Sequence, residues 1–242
     1  EAYEIWAKII SVDKITKLSE NVWKMGEIGP YGYCSEIFYD LQVGEGNFIE
    51  GDRYLEIWNL VFMEYYFDGK STTKLTKPCI DAGMGLERIQ SVIEGVNDTY
   101  DIEFFKENLF LLNCTENNVD TKIFLDHIRS ASFMINEDIM PGSNGAPFVL
   151  RRIIRRALQS FFNLQLIDFE IIVTKILNNF QKYYDFTIKI EYIVEVLNQE
   201  KMQFENILTL GKQKFEEYIV ENKKQNNKYD LSGQELFVLH DT

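Results

Sequence analysis

The chain has 242 residues, enough for one large or two modest domains, and its composition (45% hydrophobic, 26% charged, 14% aromatic) is that of a soluble globular protein. No apolar run reaches the length of a membrane helix, and Glu1-Ala2-Tyr3-Glu4-Ile5-Trp6 is not a secretory leader. A formal charge of −13 argues against broad electrostatic capture of nucleic acid and leaves that task to a local basic patch.

Cys34, Cys79 and Cys114 have no paired spacing, which disfavours a disulfide framework or a zinc knuckle and fits reduced thiols in an intracellular, most simply cytoplasmic, setting; an organelle stays open. His127 and His240 are the only histidines, too few for a His-based metal site. The chain opens without Met inside a helix-like stretch and stops at His240-Asp241-Thr242, so it is expected to be an internal piece of a longer protein.

In chain order, Asn21 to Glu36 carries glycines at 26, 29 and 32 and reads as a Gly/Pro-rich loop with Trp23 at its edge, running into a strand over Cys34 to Asp40. Leu41 to Asp52, with three glycines, reads as a loop, and Arg53 to Phe67 as a second strand rich in β-branched and aromatic residues. Asp68-Gly69 signals a turn, and Thr76-Lys77-Pro78 leads into a strand at Cys79. A helix follows from Leu86. Strand, turn, strand, helix implies an antiparallel sheet with a helix on it, an α+β arrangement. From about residue 100 the pattern turns helical: Thr121 to Ile135, Phe148 to Phe161, Phe169 to Tyr184 and Ile188 to Tyr218 show three- and four-residue apolar spacing. Asn222 to Lys228 reads as a polar loop, and Gly233 to Leu239 as a last short element.

Four constellations carry chemistry. Asp81-Ala82-Gly83-Met84-Gly85-Leu86-Glu87-Arg88 places an acid on a strand, two glycines that let backbone and ligand approach, and an arginine at a helix start. Its bland reading is a strand-to-helix turn with solvated Glu87 and Arg88. Asn59 interrupts an apolar strand; it is either a satisfied core or edge amide or a ligand contact sharing a face with Val61. Trp23 is either core or a flat wall for a ligand. In Val149-Leu150-Arg151-Arg152-Ile153-Ile154-Arg155-Arg156, the pairs 151/155 and 152/156 each align on a helix. They form either a salt-bridged surface or a phosphate-binding ridge.

Together these stretches resemble the alanyl-tRNA synthetase family, of class II. The resemblance runs through EAYEIW, VWKMGEIGPYGYCSEIFYD, DRYLEIWNLVFME, KPCIDAGMGLERI, DHIRSASFMI, VLRRIIRRA and LFVLHDT, in that order. It implies that residues 1–105 are the later part of a class II aminoacylation domain including motif 3, and that 106–242 are an all-α helical tRNA-recognition domain. It further implies an ATP site of Trp23, Ile57, Trp58, Asn59, Gly85 and Arg88. The alanine site would be Trp23, Asn59, Val61 and Asp81, with Asp81 on the substrate ammonium. Mg²⁺ would bridge ATP phosphates, and no side chain acts as a covalent nucleophile. Contacts to the acceptor stem of tRNA(Ala) would come from Ser143 or Asn144, from Arg151, Arg152, Arg155 and Arg156, and from Asp241.

The chain departs from the family pattern at Ala82 for Thr, Glu64 for Gln, Tyr31 for Cys, and in Pro141 to Phe148, where Ala146 replaces an Arg. Motif 1 and the motif 2 arginine would precede residue 1, and a zinc-bearing editing domain would follow residue 242. The alternative is an inactive, synthetase-like RNA-binding module.

Overall fold

Four strands form one antiparallel meander: β1 (Val22–Lys24), β2 (Gly29–Asp40), β3 (Tyr54–Phe67) and β4 (Thr72–Met84), ordered β1-β2-β3-β4. The computed structural model describes residues 1–19, 21–45, 53–112, 118–184, 190–226 and 230–241, with the side chains of 224–226 and 240–241 outside the description. Contacts divide the chain into two units, Glu1–Ile102 and Glu103–Thr242.

In the first unit, short connections join β1 to β2 and β3 to β4, and each strand pairs antiparallel with its neighbour in sequence. Asp68 ties the β3–β4 turn: its Oδ1 accepts from the N–H groups of Lys70 (2.8 Å) and Ser71 (2.7 Å), while Gly69 takes φ 94°. At the other end of the β2–β3 hairpin, Arg53 grips Asp40 through two bonds of 2.8 and 2.9 Å. The Gly/Pro-rich stretch is not the loop expected from composition. Gly29 to Tyr33 is the start of β2, and Trp23 lies on β1 opposite Gly32. The glycine is there for close approach: a Cβ at position 32 would lie 1.7 Å from the Phe62 carbonyl oxygen.

After β4, Gly85 leads into helix α2 (Leu86–Glu94), closed by Gly95 in the left-handed region at φ 68°. A first short helix, α1 (Ala2–Trp6), precedes the sheet.

The regular elements of the second unit, among its described residues, are all helices: α3 (Glu103–Leu111), α4 (Val119–Asn136), α5 (Gly145–Asn163), α6 (Phe169–Phe180), α7 (Ile190–Asn226) and α8 (Gly233–Asp241). Apolar side chains at helical spacing build its core: Phe124, Ile128, Ala131 and Ile135 from α4; Leu150, Ile154, Ala157 and Phe161 from α5; Val173, Ile176 and Phe180 from α6. Phe104 and Phe180 stack with ring centres 5.0 Å apart. The start of α7 is buried at Ile193, Val196 and Leu197.

The polar stretch from Asn222 is helical to Asn226 instead of a loop, since Lys and Gln are good helix formers. Asn222 also donates to the Asp230 carbonyl (3.0 Å). Ser232 and Glu235 cap α8 reciprocally: the Ser232 N–H donates to Glu235 Oε2, and the Glu235 N–H to Ser232 Oγ.

Candidate active site

Residues directly opposite in antiparallel strands share a face. The register therefore builds one face of the sheet row by row. Cys34, Val61 and Asp81 lie side by side; Glu36, Asn59 and Gly83 form the next row; Trp23, Gly32, Met63 and Cys79 form the row on the other side. Trp23, Asn59, Val61 and Asp81, the four residues expected around an amino acid, thus occupy one face, with side-chain origins in adjacent strands about 5 Å apart.

Val61 is the one strand side chain that is buried, at 6% exposure, and forms the floor. Asn59 beside it donates through Nδ2 to Glu36 Oε1 at 3.2 Å. Its Oδ1 is buried and has no partner. Gly83, across from Asn59, has nothing within 4 Å of where a Cβ would sit, so no packing among the described residues demands glycine there. Asp81 is exposed on β4, not the buried acid its apolar neighbours suggest, because β4 is the edge strand and has a neighbour on only one side among the described residues. Its Oδ1 accepts from the Ala82 N–H at 3.0 Å.

A bulge reshapes one end of this face. Ile37 pairs with Trp58 and Phe38 with Glu56, leaving Ile57 as the extra residue. Glu56 consequently shares the face of Phe38, and hence of Glu36. Trp58, opposite Ile37 and Met84, belongs to the other face, away from Asn59. The strand's two-residue alternation separates Trp58 from the grouping expected around ATP. Ile57 contributes its carbonyl, which accepts from the Gly85 N–H at 3.3 Å.

Gly85 and Arg88 act together. The Arg88 side chain folds back over Gly85, where a Cβ would meet Arg88 Cδ at 3.1 Å. Its Nη1 donates to the Glu56 carbonyl at 2.8 Å and lies 3.4 Å from Glu56 Oε2. A planar cation is thereby held at the sheet end with nearly half its side chain exposed.

Cys34 reports the local field. Burial, then the negative charges of Glu36 and Glu56, push its thiol up to about 11, so it stays protonated; Sγ lies 3.5 Å from Glu36 Oε1 as donor. Glu36 and Glu56 are site-face residues that motif reasoning did not single out. Two-residue alternation from Asn59 and Cys34 points to Glu36; Glu56 depends on a bulge that has no sequence signature. Among the described residues no group of three His, Cys, Asp or Glu side chains is placed to hold a metal ion.

In the helical unit the four arginines separate. Arg151 and Arg155 approach Glu200 of α7 at 3.4 and 2.8 Å, and that carboxylate is 3% exposed. This pair is the salt-bridged reading of the motif: it joins helices and is not an open phosphate ridge. Arg152 and Arg156 face solvent, without an ion pair among the described residues, and Arg152 lies over the exposed Phe148 ring at 5.8 Å. Ser143 and Asn144 are exposed just before α5, with Asn144 Nδ2 donating to Ser143 Oγ at 3.3 Å. The Asp241 side chain lies outside the described residues.

The family described as tRNA synthetases class II (A) matches residues 1–242, the whole chain. The chain belongs to this family. Among curated proteins, the alanine–tRNA ligase of Wolbachia pipientis wMel is 40% identical over 258 residues, covering 100% of this chain and 29% of the relative. The alanine–tRNA ligases of Neorickettsia sennetsu (38%) and Burkholderia mallei (37%) match all of the chain and 30% of their own length. The chain thus spans under a third of the length of the relatives it matches. The chain has no helix, among its described residues, long and apolar enough to cross a membrane.

Proposed function

We propose that the protein is an alanine–tRNA ligase and that this chain contributes its amino-acid pocket, part of its ATP site and its helical tRNA-recognition region. The observation that carries this reading is the buried, unpartnered Oδ1 of Asn59 on the face that also bears Val61 and Asp81. A lone acceptor beside a carboxylate suits an ammonium, which has only donors to offer. Val61 and Trp23 would wall the pocket on the same face and suit a small apolar side chain.

In the proposed reaction the alanine carboxylate attacks the α-phosphorus of ATP in line and pyrophosphate leaves; a hydroxyl of the terminal ribose of tRNA then attacks the acyl carbon of the adenylate, and AMP leaves. Asp81 holds the ammonium, Asn59 accepts from it, and Gly85 with Arg88 receives ATP. Arg88 exchanges its contact with Glu56 for a phosphate, which its fork geometry suits. The rate gain comes from positioning and charge, not from an enzyme nucleophile. Mg²⁺, a hard cation, would offset the charge on the ATP phosphates, and the carboxylate of Glu56 is of the right chemistry to help hold it once Arg88 turns to a phosphate.

Residues 1–105 are read as the later part of the aminoacylation domain and 106–242 as the tRNA-recognition domain. RNA contact is assigned to Arg152, Arg156, Ser143, Asn144 and Asp241. Alanine-dependent ATP–pyrophosphate exchange by the full-length protein tests the reading. Asp81→Ala should abolish exchange; wild-type exchange in that variant would remove Asp81 from the site. A full-length protein that binds tRNA without exchange would instead be the synthetase-like RNA-binding module.

A further inference from the structure

We propose that Glu36 is a positioning residue for amino-acid recognition: it orients the Asn59 amide so that the oxygen, not the nitrogen, meets the substrate ammonium. The inference rests on the reading of this face as the alanine pocket. An asparagine amide is nearly symmetric in shape but opposite in chemistry at its two ends, since the oxygen accepts and the nitrogen donates. Left free, it can present either end to a ligand, and the nitrogen would repel an ammonium.

Glu36 removes that choice. It lies directly opposite Asn59 on β2, and its Oε1 is 3.2 Å from Asn59 Nδ2. A carboxylate only accepts, so the bond forms in one amide orientation, and the flipped amide would set two acceptors against each other. In the orientation that bonds, Oδ1 is the buried atom without a partner. Cys34 Sγ, 3.5 Å from the same Oε1, steadies the carboxylate from the neighbouring row. On the far side of Asn59 stands Gly83, whose missing Cβ leaves the space into which an ammonium would fit. Glu36 thus acts through Asn59 and gives the pocket its preference for an amine.

Alanine-dependent ATP–pyrophosphate exchange by the full-length protein, run as a double-mutant cycle over Glu36→Ala and Asn59→Ala, decides the matter. Glu36→Ala should raise the KM for alanine about tenfold, the scale of one charge-assisted hydrogen bond, and leave the KM for ATP in place. Glu36→Gln, whose amide oxygen still accepts, should lose about threefold. In an Asn59→Ala background, Glu36→Ala should add nothing. Additive losses would show that Glu36 acts independently of Asn59 and overturn the proposal, as would equal rises in both KM values. Should Glu36→Ala fail to fold, Glu36→Met keeps the volume, removes the acceptor and takes its place in the cycle. Loss in Asn59→Ala with none in Glu36→Ala or Glu36→Met defeats this inference alone. An Asn59→Ala enzyme with an unchanged KM for alanine defeats the pocket reading itself.

Discussion

The two units treat a buried polar group in opposite ways. In the helical unit, Glu200 is almost fully buried and has two arginines, from a neighbouring helix, on its carboxylate. In the sheet unit, Asn59 Oδ1 is equally inaccessible and has no partner. Their surroundings differ in the same sense. Phe124, Ile128, Leu150, Ile154, Ile176 and Phe180 are fully buried in the helical unit, whereas Gly32 and Val61 alone among the strand residues are buried in the sheet. A satisfied charge inside a dense core locks helices together. An unsatisfied acceptor on a half-open face is, in the alanine reading, the group left for a ligand. Stability and ligand chemistry thus fall on different residues, and substitutions can separate them.

The largest expected effect is on Glu200. Removing it leaves the partly buried Arg151 and Arg155 side by side without their carboxylate and opens a void where Glu200 was, a loss below the roughly 3–5 kcal/mol of a fully buried broken pair. All three tryptophans, Trp6, Trp23 and Trp58, lie in Glu1–Ile102, so tryptophan emission follows the sheet unit and helical circular dichroism chiefly the other. Glu200→Ala should lower the melting transition seen by circular dichroism and leave the emission transition where it was. A shift of both together would erase the distinction between the units.

Gly83→Ala probes the reverse case. The added methyl meets nothing within 4 Å and the site has no positive φ, so stability should hold or rise by about 0.5–1 kcal/mol, the ordinary gain from Gly to Ala in a strand. In the alanine reading the same methyl enters substrate space, and the KM for alanine should rise about tenfold, or about 1.4 kcal/mol. Unchanged kinetics would mean that the space beside Asn59 is not used.

The arginines give a finer separation. Arg152→Ala and Arg156→Ala should each weaken tRNA binding and lower the slope of log K against log salt by about 1, with the melting temperature unchanged. Arg155→Ala should lower the melting temperature first. Equal salt slopes for wild type and the Arg152 and Arg156 variants would return those residues to the solvated surface.

That separation also marks where sequence reasoning stops. Spacing places Arg151 with Arg155 and Arg152 with Arg156, because i,i+4 neighbours are local. Which pair turns inward depends on Glu200, 45 residues beyond Arg155, and no local pattern reports it. On the sheet, two-residue alternation was enough to unite Asn59 with Val61, and β-branched runs marked β3. It failed at Glu56, because the face change there comes from a bulge at Ile57. It failed at Gly29 to Tyr33 because glycine there serves close strand approach and not a turn. Asp81 reads as buried from its apolar neighbours, and its exposure comes from strand order, a tertiary fact.

The smallest expected effect sharpens the sheet side. Arg53, bonded twice to Asp40, holds that exposed carboxyl down to about 2, against an ordinary value of 3.8. A carboxyl with a lowered folded pKa favours the folded state above its unfolded value and loses that contribution as pH falls through the folded one. The contribution of the Asp40–Arg53 pair is therefore complete near neutrality and fades between about pH 4 and pH 2. Partial exposure and salt screening keep it small. The denaturant midpoint read by tryptophan emission should be slightly lower for Asp40→Asn than for wild type at pH 6, and the gap should narrow as pH falls through that window. High salt at pH 6 should narrow it as well. A gap independent of both pH and salt would mean that Asp40 acts through the backbone, where its Oδ1 also accepts from the Gln42 N–H at 2.9 Å, and not through the charge of Arg53.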